Sequence, residues 1–187
     1  NRSGKTVSGI VEAIMVYTGI IPLALQGVYP HKIPTRPRHV RVIVMDYSKA
    51  FSETIRPLLI GSDYGMLPEA WSEYNESEHL FTGPDGSYLS IMAIDPTEKT
   101  DPNILRGPQI DHTMIDEINT EVCFTESVAR SAALKSGPRT VSLTYCPQNG
   151  FSCWTYDRLY RACYDALTKR RLPKEKQHSD IFCQVIT

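Results

Sequence analysis

The chain has 187 residues, 41% hydrophobic and 22% charged, the balance of an ordinary globular domain large enough to bury a sizeable core. Its formal net charge of −1 excludes a protein that is basic throughout. Any grip on nucleic acid must then come from a local patch, such as Lys169-Arg170-Arg171 with Lys174 and Lys176. The longest apolar stretch, around Ile10–Leu25, is broken by Glu12, Tyr17, Thr18, Gly19 and Pro22, which argues against a membrane span, and no signal-peptide pattern opens the chain. Cys123, Cys146, Cys153, Cys163 and Cys183 are odd in number and lack the two-residue spacing of a zinc or redox motif. They read as reduced, buried thiols of a cytosolic protein.

From Lys5 to about Thr18, Val7, Ile10, Val11, Ile14 and Met15 recur at helical spacing. Gly19, Pro22, Gly27, Pro30, Pro34 and Pro37 then mark a long irregular connection. His39–Met45 reads as a strand, its run Val42–Met45 apolar enough to be buried on both faces. Ser48–Leu59 reads as a helix capped by Ser48 or Ser52, Gly61–Pro68 as a loop, and Glu69–Tyr74 as one short turn. His79–Phe81 and Ser87–Ile94 flank Gly83-Pro84-Asp85-Gly86, a hairpin pattern, and Thr97–Asn103 is a polar loop.

Further on, His112–Ile115 is a short strand, Glu126–Leu134 a helix and Thr140–Thr144 a strand. Trp154–Lys169 has the pattern of a long amphipathic helix carrying Leu159, Ala162, Cys163 and Leu167, and Ile181–Ile186 begins one more strand. Strands alternating with helices predict an α/β fold: one domain over 1–187 with a mostly parallel sheet and helices on both faces.

Three stretches carry chemistry. Gly4-Lys5-Thr6 is the tail of the pattern G-x-x-x-x-G-K-[ST], whose leading Gly would lie two residues before Asn1. In that motif the Gly lets backbone approach phosphates, the Lys reaches the β- and γ-phosphates, and the Thr hydroxyl ligates Mg²⁺. The helix that follows points its N-terminal N–H groups at the same anion. Arg2, three residues before Lys5, reads either as a γ-phosphate contact or arginine finger, or as a loop cation paired with a carboxylate.

The second stretch, Ile110 to Glu117, approximates an apolar strand ending in Asp-Glu. Asp116 at the strand end would hold Mg²⁺ opposite Thr6, and Glu117 would polarise the attacking water as general base. His112 within it reads as a packed or edge histidine rather than a catalytic one. Alone, an Asp-Glu pair is most often a solvated turn; paired with Gly-Lys-Thr it becomes the second half of an ATPase site.

The third stretch is Thr140–Tyr160, TVSLTYCPQNGFSCWTYDRLY. A strand-end Thr144 can bond a phosphate or the attacking water, and Pro147 and Gly150 permit a hinged turn. Thr144, Pro147, Gly150, Trp154 and Tyr156 match in order the Thr-x-Thr-Pro, Gly and Ser-Trp-x-Tyr of phage terminase large subunits, with Cys146 in place of the second Thr and Cys153 as an extra residue. Asn1-Arg2-Ser3-Gly4-Lys5-Thr6 resembles that family's phosphate loop. Tyr17-Thr18-Gly19 with Pro22 resembles the close of its first helix, and Asp85-Gly86-Ser87 its pre-Asp-Glu hairpin turn.

The resemblance implies a P-loop NTPase of the additional-strand catalytic-glutamate (ASCE) type, truncated at the N-terminus within the phosphate loop, with the family's nuclease domain absent. It implies ATP and Mg²⁺ as cofactors, nucleotide contacts from Asn1 to Thr6, metal contacts from Thr6 and Asp116, and catalytic roles for Glu117, Arg2 and Thr144. In that family the segment after Thr144 would couple hydrolysis to movement of double-stranded DNA into a procapsid. The implied partners are the portal, the small terminase subunit and a homo-oligomeric ring, in the host cytoplasm. Arg130, Arg139 and Arg158 remain open as trans-acting arginines. A helicase-like ATPase and a non-hydrolysing nucleotide-binding module are the alternatives.

Overall fold

In the computed structural model the described residues are 4–94, 105, 107–117, 120–132, 134, 137–144, 154–165 and 167–177. They group into two compact units, one holding the sheet (described residues between 4 and 144) and one towards the C-terminus (described residues between 154 and 177). Asn1, Arg2, Ser3, the loop at Thr97–Asn103, Pro147, Gly150 and the strand expected at Ile181–Ile186 lie outside the described residues.

The first unit is a mixed α/β fold on a six-stranded sheet. Its strands are β1 (His39–Val44), β2 (Glu73–Asn75), β3 (Leu80–Thr82), β4 (Tyr88–Ala93), β5 (His112–Asp116) and β6 (Thr140–Thr144). The order is β2-β3-β4-β1-β5-β6. β4, β1, β5 and β6 run parallel, while β2 and β3 join antiparallel at the β4 edge. The parallel centre follows from sequence: β1 is buried along nearly its whole length and β5 throughout, as a strand covered on both faces must be.

Alternation along the strands divides the core in two. Val40, Val42, Val44, Leu89, Ile91 and Met114 pack with Ile10, Ala13, Ile14 and Tyr17 of helix α1 (Lys5–Thr18). On the opposite face Ile43 and Ile115 pack with Cys123 of α3 (Glu121–Ala132). Helices therefore cover both faces. Among the described residues no helix is long and apolar enough to cross a membrane.

Helix α1 ends where the sequence says it should: Gly19 adopts φ 73°, and its N–H reaches Met15 O, closing the last turn with a left-handed residue. The buried face is broader than the apolar spacing implied, taking in Ala13, Val16 and Tyr17, while Val7 is 42% exposed. Gly9 seats the helix on the sheet. A Cβ there would stand 2.7 Å from Met114 Cε and 3.0 Å from its Sδ. Gly9→Val is expected to destabilise the protein by about 1–3 kcal/mol, the usual cost of overpacking a core. Gly9→Ala should cost less, because the thioether tip can rotate away. Denaturant midpoints of the two variants check this order.

Several local expectations are corrected. The helix expected at Ser48–Leu59 is a π-helical stretch, Tyr47–Ile55, continued by the short α2 (Arg56–Ile60). Its cap is Asp46, whose Oδ1 accepts from Lys49 N at 2.6 Å and Ala50 N at 3.3 Å, a role neither Ser48 nor Ser52 fills. Glu69–Trp71 is a 3₁₀ turn that leads into β2. α3 begins at Glu121, five residues before the expected start.

His112 is fully buried, with Nδ1 2.7 Å from Thr140 Oγ1. Burial pushes its pKa below the ordinary histidine range; Glu12 opposes that shift and His31 adds to it. Arg38, 5% exposed, ties the connection after α1 to the hairpin turn, donating to Pro34 O at 3.0 Å and Asp85 Oδ2 at 2.5 Å. Asp111, just before β5, takes a two-pronged ion pair from Arg36 at 2.6 and 3.0 Å.

In the C-terminal unit the long helix expected at Trp154–Lys169 stops early. Trp154 and Thr155 are helical, a π-helical turn follows at Tyr156–Tyr160, and the chain then folds back so that Tyr164 bridges Arg171. Asp165 is the cause: its Oδ1 accepts from Leu167 N and Thr168 N at 3.1 and 2.6 Å, offering the backbone a turn in place of the helix. Lys169 then takes a left-handed φ of 57°, and Leu167 is 91% exposed where the helical pattern had it buried. The rings of Tyr156, Tyr160 and Tyr164 stack in series, with centroids 5.1 and 4.6 Å apart.

Candidate active site

Helix α1 runs antiparallel to β5. Its first turn meets the carboxyl end of that strand at Thr6 and Asp116, Gly9 lies over Met114 about one turn on, and Glu12 accepts from Ser142 Oγ of β6 at 2.5 Å. The start of α1 thus stands over the carboxyl ends of parallel strands, where open α/β sheets place their sites. Gly4, at φ 72°, precedes the helix in the left-handed conformation that a glycine adopts at no steric cost. A glycine supplies no side-chain cap, so the first helical N–H groups and the positive end of the helix dipole face the same space.

Two residues brought together from opposite ends of the fold form the centre. Thr6 Oγ1 donates to Asp116 Oδ1 at 2.9 Å across 110 positions of sequence. Thr144, the register partner of Asp116 on β6, donates its hydroxyl to the same oxygen. Asp116 is 7% exposed. Burial raises its pKa and Glu117 adds to that, while the hydroxyls of Thr144 and Thr6 and the charge of Lys5 pull the other way. The carboxylate is thus held by hydroxyl donors with a cationic side chain nearby.

Glu117 follows at once, half-buried, with φ 58°. A left-handed glutamate costs about 1–2 kcal/mol, and such residues cluster where geometry is imposed by function. Its N–H donates to Thr144 O at 2.7 Å, so Thr144 holds Asp116 by its side chain and Glu117 by its main chain.

Of the residues singled out in the sequence, Thr6, Asp116, Glu117 and Thr144 meet here, and Lys5 acts on Asp116 from the start of α1. Asn1, Arg2 and Ser3 lie outside the described residues. Thr144 differs from expectation in one respect: the hydroxyl read as a phosphate or water ligand is given to Asp116. Arg130 sits 3.4 Å from Glu126 on α3, and Arg139 donates to Leu134 O at 3.4 Å, just before β6. The tie between Thr144 and Asp116 escaped the sequence reading because it depends on register between β5 and β6, which no local pattern carries.

The residues fit a divalent cation of the Mg²⁺ kind. Among the described residues no three His, Cys, Asp or Glu side chains form a ligand cage. Mg²⁺ bound with a nucleotide is usually held by one or two protein oxygens, the remaining positions going to phosphate and water. Asp116 supplies a carboxylate, and Thr6, while donating its hydrogen to Asp116, keeps lone pairs on its oxygen. No family model, curated protein or solved structure matches the chain.

Proposed function

We propose that this chain is the ATP-hydrolysing motor domain of a viral DNA-packaging enzyme of the terminase large-subunit type, with the P-loop NTPase fold. The observation that carries the reading is the Thr6–Asp116 hydrogen bond at the carboxyl ends of the parallel strands. It joins a Gly-Lys-Thr helix start to an Asp-Glu strand end, the two halves that phosphoryl-transfer sites require.

The chemistry follows from the side chains. Lys5 and the first N–H groups of α1 hold the β- and γ-phosphates. Thr6 and Asp116 would hold Mg²⁺, which would supply positive charge to neutralise those phosphates. Glu117 accepts the proton of the attacking water. Thr144 fixes the positions of both acids and leads directly into the segment that, by the family resemblance, passes hydrolysis to DNA. Arg2 would contact the γ-phosphate or serve as an arginine finger. The wider setting is proposed with it: a homo-oligomeric ring docked on the portal of a procapsid in the host cytoplasm, fed double-stranded DNA with the help of a small terminase subunit.

The test is phosphate release from Mg·ATP together with procapsid-dependent protection of double-stranded DNA from nuclease. Turnover with protection supports the packaging motor. Turnover with strand unwinding and no protection points to a helicase, and binding without turnover points to a regulatory nucleotide-binding module.

A further inference from the structure

Between α3 and the sheet lies a layer of buried polar groups that the nucleotide chemistry does not use. On that face the carboxyl-end half is apolar, built on Ile43, Ile115 and Cys123. The amino-end half is polar: Arg41 of β1 lies beside its register partner Thr113 of β5. One and two turns beyond Cys123, Ser127 and Ser131 are the buried residues of α3. Arg41, Thr113, Ser127 and Ser131 are 4%, 0%, 1% and 2% exposed. Arg41 Nε, Thr113 Oγ1, Ser127 Oγ and Ser131 Oγ, together with Arg130 Nε, are buried atoms that find no hydrogen-bond partner among the described residues.

The charge balance is equally uneven. Arg41 Nη1 donates to Leu105 O at 3.1 Å, a neutral carbonyl. Burial works against the charge of its guanidinium; Tyr88 opposes that effect, and Arg130, a like charge, adds to it. Arg130 reaches Glu126 at 3.4 Å from a separate nitrogen, leaving its Nε unmatched. A buried charge is ordinarily paired, and buried donors ordinarily find acceptors.

We propose that this layer is a binding site for a small inorganic anion, a halide or an oxyanion, held between Arg41 and Arg130 with hydroxyls from Thr113, Ser127 and Ser131. An anion accepts from every one of these groups and supplies the counter-charge that Arg41, bonded to a neutral carbonyl, lacks among the described residues, whereas Arg130 is already paired with Glu126. A way in exists. A surface depression is lined by Arg36, Pro37, His39, Gln109 and Leu134. His39 lies two residues before Arg41 on the same face of β1, and Leu134 N donates to Ser131 O at 3.2 Å just past α3. The site is distinct from the nucleotide centre, which uses Asp116 on the opposite face of the sheet.

The test is thermal unfolding at constant ionic strength while potassium gluconate, whose anion is too large to enter, is replaced by chloride or by phosphate. A ligand that binds only the folded state raises its melting temperature saturably. The wild-type protein should show this with at least one of the two, and which one separates halide from oxyanion. Lys5→Ala should keep the effect, which separates it from phosphate binding at the nucleotide site. Arg41→Met should abolish it. The double variant Ser127→Ala, Ser131→Ala removes only unpaired hydroxyls, so it should fold even if Arg41→Met does not. It should raise half-saturation by about 10–100-fold, the loss of two hydrogen bonds. Melting indifferent to both anions, or an unaltered response in the serine variant, overturns the proposal.

Discussion

Glu117→Gln is expected to lower ATP turnover by about 10²–10⁴-fold, the range for loss of a general base. The fold and the affinity for Mg·ATP should stay close to wild type. Glutamine keeps the length of the side chain and the N–H that reaches Thr144 O at 2.7 Å, so only proton acceptance is removed. Steady-state phosphate release and a denaturation curve measure the two effects separately. Glu117→Gly sharpens the separation. The left-handed φ of 58° costs a glutamate about 1 kcal/mol that a glycine does not incur. That variant should hold or raise its denaturation midpoint while turnover falls as it does in the glutamine variant. Unchanged turnover in Glu117→Gln would remove the general-base assignment.

Lys5→Ala is expected to weaken ATP binding by about 10–100-fold, matching the roughly 1.5–3 kcal/mol of a hydrogen bond to a charged group. Lys5 opens α1 beside Asp116, and its charge already bears on that carboxylate. Truncation leaves the helix intact, since alanine is the best helix former. The helix N–H groups and dipole remain, which is why residual binding is expected. Equilibrium titration with a fluorescent ATP analogue reads the change, and normal affinity in Lys5→Ala would refute the phosphate-loop assignment.

What could be read from sequence divides along physical lines. α1 was legible because its apolar residues repeat at helical spacing over many positions, and β1 because the run Val42–Met45 is apolar without interruption. The pairing of Thr6 with Asp116 was legible because each belongs to a short motif whose chemistry requires the other. β2 was missed because three residues, Glu73–Asn75, are too few to show alternation, and they pair only because β3 offers an edge. The helix after Trp154 was overextended because Asp165, at an apparently helical position, bonds the backbone of Leu167 and Thr168. The part played by Thr144 depended on the register Asp116↔Thr144, which tertiary pairing alone decides. The buried polar layer was invisible for a similar reason: Arg41, Ser127 and Ser131 look like surface residues until α3 is laid on the sheet.

The central claim is that Thr6 and Asp116 form the metal-binding half of a nucleotide site. It is tested most directly by titration calorimetry of ATP binding with and without Mg²⁺, in the wild-type protein and in Asp116→Asn. The expected result is saturable binding that strengthens when Mg²⁺ is supplied, with that dependence lost in Asp116→Asn. Failure of the wild-type protein to bind ATP, or binding in which Mg²⁺ acts equally in both proteins, would contradict it.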